Sequence, residues 1–130
     1  MRNFARIFLA INALAFIALG ARGIWDPVAH LALVEYQLPT PTALAEARAM
    51  YGGAHLTLGL LFFAGVFSRA WLKPALLVLA VLVGGLALGR MTGVVVDGAS
   101  SAIILQFLAI ETADCVLALW LRRRVKDDTF

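Results

Sequence analysis

The sequence predicts an all-α integral membrane protein, a bundle of four transmembrane helices. Three observations predict it. Hydrophobic residues make up 62% of the 130-residue chain and charged residues only 15%. A soluble domain of this size has too much surface for its volume to hide so much apolar material. The charges are also gathered into a few places, and long, nearly uncharged segments run between them, which is how a polytopic membrane protein distributes charge.

Residues 4–21, "FARIFLAINALAFIALGA", form the first span. Arg6 and Arg22 lie at its ends, where long cationic side chains snorkel to the interfaces. This stretch also has the outline of a secretory leader, with Ala18-Leu19-Gly20 at a cleavage position. Three further apolar spans follow it, and the span reading is preferred. The second span covers residues 50–67. The third covers residues 74–89, with Pro74 placed in its first turn, where a missing N–H does no harm. The fourth covers residues 101–121. Each approaches the ~20 residues that cross about 30 Å of hydrocarbon.

The connection 22–49 is long. Asp26-Pro27 reads as an N-cap followed by a first-turn proline, so "PVAHLALV" is expected to form a short helix in the outer interface. His30 falls there as a surface group. Pro39 and Pro41 end that helix. Thr40 or Thr42 then caps a new one, which passes through Glu46 and Arg48 into the second span. The loop between spans three and four is short, with a turn at Asp97-Gly98 and a cap at Ser100 or Ser101. All these elements belong to one domain, residues 1–130.

Eight basic residues fall at one set of helix ends: Arg2, Arg6, Arg69, Lys73, Arg122, Arg123, Arg124 and Lys126. Only Arg22, Arg48 and Arg90 fall at the other. The positive-inside rule places both termini in the cytoplasm. Trp71 and Trp120 then mark the inner interface; Trp25, Tyr36 and Tyr51 mark the outer one. A net charge of +3 invites a nucleic-acid partner, but cations at helix ends serve orientation, and no nucleic acid is expected. The "RRRVKDDTF" tail reads as a solvated anchor beside anionic lipid. Cys115 is the only cysteine, so no intrachain disulfide forms, and its apolar surroundings point to a packed thiol.

Ionisable groups inside a span are costly, about 2.5–3.5 kcal/mol each at a helix centre on insertion scales. Glu111 lies halfway along the fourth span, and Asp114 follows one turn later on the same stripe. In the second span Arg48, Gly52, His55 and Gly59 share a face, with Tyr51 beside it. Arg90 ends the third span on the outer side. Glu46, Arg48, His55, Arg90, Asp97 and Glu111 are therefore expected to converge in the outer half of the bundle, with Asp114 deeper. Gly85, Gly89 and Gly93 form a small-xxx-small ridge, and Gly52 and Gly53 flatten the second span, so both sets are expected to serve helix packing. Packing is preferred over an oligomer interface for that ridge.

His55, Glu111 and Asp114 offer no HxxxH, HxxE or paired-cysteine spacing, so no metal is expected. No phosphate loop, dinucleotide fingerprint or nucleophile elbow is present, and no cofactor is assigned. The charged cluster has two readings: a buried ion-pair network fixing helix register, and a ligand or proton site. The second is preferred, because an intramembrane ionisable residue is by default a functional one.

At "EARAMYGG" and "LALGRMTGVVVDG" the chain resembles the family known as domain of unknown function 4345. These are small four-span bacterial membrane proteins, similar in outline to the DoxX-like group. The resemblance covers nearly the whole chain. Its recurring features match Glu46, Arg48, Tyr51, Gly52, Gly53, Gly89, Arg90, Asp97 and Glu111. It implies the fold and the site and carries no established activity. More distant DoxX-like relatives are associated with quinone-linked or thiol redox complexes, and one cysteine does not suffice for thiol chemistry.

Three functions compete beyond contact with the lipid bilayer. The first is a binder, or an enzyme, for a small lipophilic molecule such as a quinone, isoprenoid or lipid head group. There Arg48 and Arg90 would hold an oxygen, His55 or Glu111 would move a proton, and Tyr51 would donate a hydrogen bond. The second is an accessory subunit, docking a partner membrane subunit or a second copy on the glycine ridge. The third is a proton-coupled carrier with Glu111 and Asp114 as relay, for which broken helices and inverted halves are lacking. The binder is the preferred reading.

Overall fold

The computed structural model describes residues 1–126. It is an all-α four-helix membrane bundle. The elements are α1 (Arg2–Trp25), α2 (Pro27–Ala32), α3 (Pro41–Ala47), a π-helical segment (Arg48–Gly53), α4 (Ala54–Phe67), α5 (Arg69–Asp97) and α6 (Ala102–Arg124). Segment Pro41–Phe67 is continuous, so the helices long and apolar enough to cross a membrane are α1, Pro41–Phe67, α5 and α6.

Local chemistry sets the breaks. The Asp26 side chain accepts from the Ala29 N–H at 3.0 Å and Pro27 opens α2, as an N-cap with a first-turn proline should. Thr40 accepts from the Ala43 N–H at 3.1 Å and caps α3. Ser68, in extended conformation, separates α4 from α5 and accepts from the Trp71 N–H at 3.3 Å. Gly98 closes α5 at φ +69°, a left-handed residue where glycine carries no Cβ penalty. Ser101 takes the N-cap position of α6 without a side-chain bond.

One helix boundary differs from the sequence reading. The third span starts at Arg69, not at Pro74. Pro74 therefore lies inside the helix, past the first turn, and leaves the Ala70 carbonyl without its i+4 donor. The second spanning helix begins at Pro41 with Thr40 as its cap and runs through Glu46 and Arg48 into the span, as the sequence indicates. Of the C-terminal tail, residues 127–130 lie outside the described residues.

The helices associate as two pairs. α1 packs along α4 and the π segment, α5 packs along α6, and α4 against α5 joins the pairs. One apolar cluster forms the core, with Leu9, Phe62, Leu72, Leu76, Leu79 and Leu121 fully buried. The residues of α6 that reach it, Ala118 and Leu121, sit toward its C-terminal end. α6 thus joins the apolar core near its C-terminal end, beside the start of α1. Only 6% of the apolar window of α6 is buried, against 39% for α1 and for α5. The rest of α6 presents an apolar exterior suited to lipid.

Glycines set the closest approach, between α1 and the second spanning helix. A Cβ on Gly52 would lie 2.8 Å from the Ile24 nitrogen, and one on Gly59 would lie 2.7 Å from the Ile17 nitrogen. Gly20 and Gly23 face the backbone at Leu56 and Tyr51 just as closely. The expected ridge on α5 does not pack within the chain. A Cβ on Gly85 or Gly89 would meet nothing within 4 Å, and one on Gly93 only Asp97 of its own helix. Gly53 likewise meets only the Arg48 carbonyl, at 3.8 Å. The α5–α6 approach uses Gly84 instead, where a Cβ would lie 3.0 Å from the Cys115 sulfur. The reason is phase. Gly84 points at α6, and its neighbours one and five residues on point outward.

Candidate functional site: a polar seam between the helix pairs

The second spanning helix enters through a π-helical turn at Arg48–Gly53, where the Ala54 N–H reaches back to the Ala49 carbonyl. One residue is in effect inserted, and such turns occur frequently at functional sites. The wide turn lays the Tyr51–Gly52 backbone directly on Gly23 of α1. It also aims Arg48 at the C-terminus of α1, where its guanidinium donates to the carbonyls of Ile24 and Trp25. Those carbonyls are the unpaired, negative end of the helix, which a cation caps well. Arg48 thus caps a helix; its expected place among converging charges is not where the structure puts it.

His55 follows the π turn. Its Nδ1 lies 2.9 Å from the Met50 carbonyl. A carbonyl only accepts, so Nδ1 carries the proton, and in the neutral ring Nε2 is left as an acceptor. The ring stacks between Phe16 of α1, at 5.4 Å, and Tyr51, at 6.1 Å. Tyr51 in turn meets Tyr36 at 6.2 Å, and Phe16 meets Phe62 of the core edge-on at 5.4 Å. An aromatic column therefore leads from the outer segment to the core.

On the other helix pair, Arg90 of α5 and Glu111 of α6 form an ion pair at 2.5 Å. Arg90 also lies over the Phe107 ring at 5.1 Å, so its position is set by two residues one turn apart on α6. The Glu111 side chain is 13% exposed, and its second oxygen, Oε2, is buried without a hydrogen-bond partner. Asp114, one turn on, interacts electrostatically with Glu111 and lies beside Asn12 of α1. Asn12 is buried and donates to the Phe8 carbonyl at 3.2 Å.

Asn12 is the point where the two helix pairs meet: Asn12, Phe16 and His55 belong to one pair, and Arg90, Glu111 and Asp114 belong to the other. Glu46 and Asp97 are exposed, and no hydrogen bond or ion pair among the described residues ties them to the seam. The expected convergence of six charges thus resolves into a helix cap, an ion pair with a carboxyl and an amide beside it, an aromatic column and two exposed acids. Asn12, Phe16 and His30 are the participants that sequence reasoning missed. Asn12 carried a signal, an amide in the middle of an apolar span. His30 belongs to the outer end of the site. Burial first, then the Arg22 guanidinium and the His55 ring, lower its pKa from the ordinary 6.5, because each disfavours the imidazolium.

The family model described as domain of unknown function (DUF4345) matches residues 4–122. The chain belongs to this family. The matched region takes in every spanning helix of the DUF4345 bundle, both sides of the seam and the π turn. No curated protein and no solved structure matches the chain.

Proposed function

We propose that this DUF4345 protein binds a small lipophilic molecule bearing a hydroxyl or carbonyl oxygen, such as a quinone, isoprenoid or lipid head group, in the outer half of its polar seam. One observation carries the reading: Glu111 Oε2 is buried and unpartnered beside the Arg90 guanidinium. A buried acceptor left unsatisfied costs about 1–3 kcal/mol, more when charged. A ligand hydroxyl donating to Oε2 removes that cost. Arg90, with five N–H donors, has donors to spare for a ligand oxygen. The Nε2 of His55, on the other helix pair, is an acceptor that can receive a proton from a ligand long enough to reach both groups. Arg48, committed to the α1 carbonyls, is left out of the ligand's contacts. The resemblance to small bacterial membrane proteins supports a bacterial inner membrane, and the cation asymmetry supports both termini in the cytoplasm.

The test is native mass spectrometry of protein extracted in mild detergent, wild type beside Glu111→Gln. A stoichiometric small molecule on the wild type, lost at least tenfold in a Glu111→Gln variant that keeps its helicity and elution volume, is the expected result. A variant that only melts earlier, with no small molecule on either form, refutes the binder. A second reading, an accessory subunit, rests on Gly85 and Gly89, whose open faces do no work within this chain. A co-purifying polypeptide on a ligand-free protein would select it.

A further inference from the structure

Away from the seam, at the end holding both termini, a groove of about 830 Å³ opens between α1, α5 and α6. Arg2, Arg69, Lys73, Arg122 and Lys126 line it. These cations lie far apart in sequence and come from three elements, so the fold, not a local charge run, brings them together. A tail read from sequence alone as a solvated anchor is therefore partly built into a cavity: Arg122 and Lys126 are two of its walls. Arg122 is half-buried, and its Nε is buried with no hydrogen-bond partner. Arg2, Arg69 and Lys73 each already take part in an interaction within the chain, so their positions are held in place.

The remaining lining is apolar, with Leu72, Pro74, Leu77 and Val125. Leu77 is 37% exposed, and Val81, one turn further, is 67% exposed. Gly85 follows at the same spacing with open space before it. A shallow apolar stripe thus runs up α5 from the cationic groove toward the middle of the bilayer. A free anion has no use for such a stripe; an amphiphile with a charged head and a hydrocarbon tail does.

We infer that this groove is a binding site for the phosphate head of an anionic phospholipid, with an acyl chain lying along the Leu77–Val81–Gly85 stripe of α5. Arginine forks suit phosphate oxygens geometrically, and lysine adds a compact charge. Basic pockets between spanning helices on the cytoplasmic side take such head groups, and the volume lies within the ~300–1,000 Å³ of small-molecule sites. The site is independent of the outer seam and of whatever binds there.

Native mass spectrometry of the full chain, titrated separately with phosphatidylglycerol, cardiolipin, phosphatidylcholine and inorganic phosphate, tests it. One anionic phospholipid per chain should be retained, and phosphatidylcholine should not. Arg69→Gln with Lys73→Gln should weaken retention on the order of tenfold or more, from roughly fivefold per cation at a membrane surface. Arg123→Gln with Arg124→Gln removes the same charge outside the groove and should retain the lipid. Should the first pair fail to purify, Lys126→Gln alone is read in its place, with about a fivefold loss expected. Equal losses in the groove and control variants would reduce the effect to diffuse surface charge and overturn the site. Retention of inorganic phosphate without phosphatidylglycerol or cardiolipin would overturn the lipid and leave a free-phosphate site.

Discussion

Asn12 contributes more to this bundle than its single amide suggests. Its side chain donates to the Phe8 carbonyl and is the polar neighbour of the Asp114 carboxyl on α6. In hydrocarbon there is no water to replace either partner. Removing the amide leaves Asp114 unpaired among apolar neighbours, and an orphaned buried group costs about 1–3 kcal/mol. Asn12→Leu should therefore lower thermal stability in detergent by that amount. Removing both groups is a different matter, because a well-packed apolar pair is often as stable as a buried polar one. Asn12→Leu with Asp114→Leu should cost clearly less than the sum of the single changes, a coupling of about 0.5–2 kcal/mol in a double-mutant cycle. Additive losses would mean that the two groups do not hold the helix pairs together.

At the scale of elements, the four spanning helices, the short helix α2 and its Asp26 cap follow from residue chemistry that any chain obeys, so they were legible in the sequence. The π turn was not. Nothing in "RAMYGG" specifies an i+5 bond; the turn exists because Gly23 and Gly52 let two backbones meet and Arg48 reaches the end of α1. The pairing of Arg90 with Glu111 was half legible. Cost predicts that buried charges find partners, but which partners depends on helix phase, and that is set by packing. The same limit explains the glycines. Spacing identified Gly85, Gly89 and Gly93 as a ridge, whereas contact falls on Gly20, Gly23, Gly52 and Gly59. A matched pair of substitutions separates the two sets. Gly23→Ala drives a methyl into the Tyr51 carbonyl, with backbone on the receiving side, so it should cost at least the 1–3 kcal/mol of ordinary overpacking. Gly89→Ala enters open space and gains helix propensity, so the isolated protein should keep its melting temperature or rise by a few degrees. Equal losses would place the Gly89 face inside a contact between chains.

At the scale of the whole molecule, one asymmetry organises everything else. α6 joins the apolar core near the end with both termini and carries its polar contact with Arg90 toward the other end. The cations follow the same division. Eight basic residues sit at the first end and three at the second, and two of those three have partners: Arg48 on the α1 carbonyls, Arg90 on Glu111. Orientation is set by the Lys/Arg bias near helix ends, and translocating the larger set against the membrane potential opposes the inverted insertion. In a Cys115→Ala background, Ser100→Cys should therefore react nearly completely with a membrane-impermeant maleimide added to spheroplasts, and Asn3→Cys only after permeabilisation. The reverse pattern would invert the bundle, placing the cationic groove outside and the polar seam toward the cytoplasm. Reaction of both positions from one side would break the four-span topology, in which three crossings, an odd number, separate the α5–α6 loop from the N-terminus.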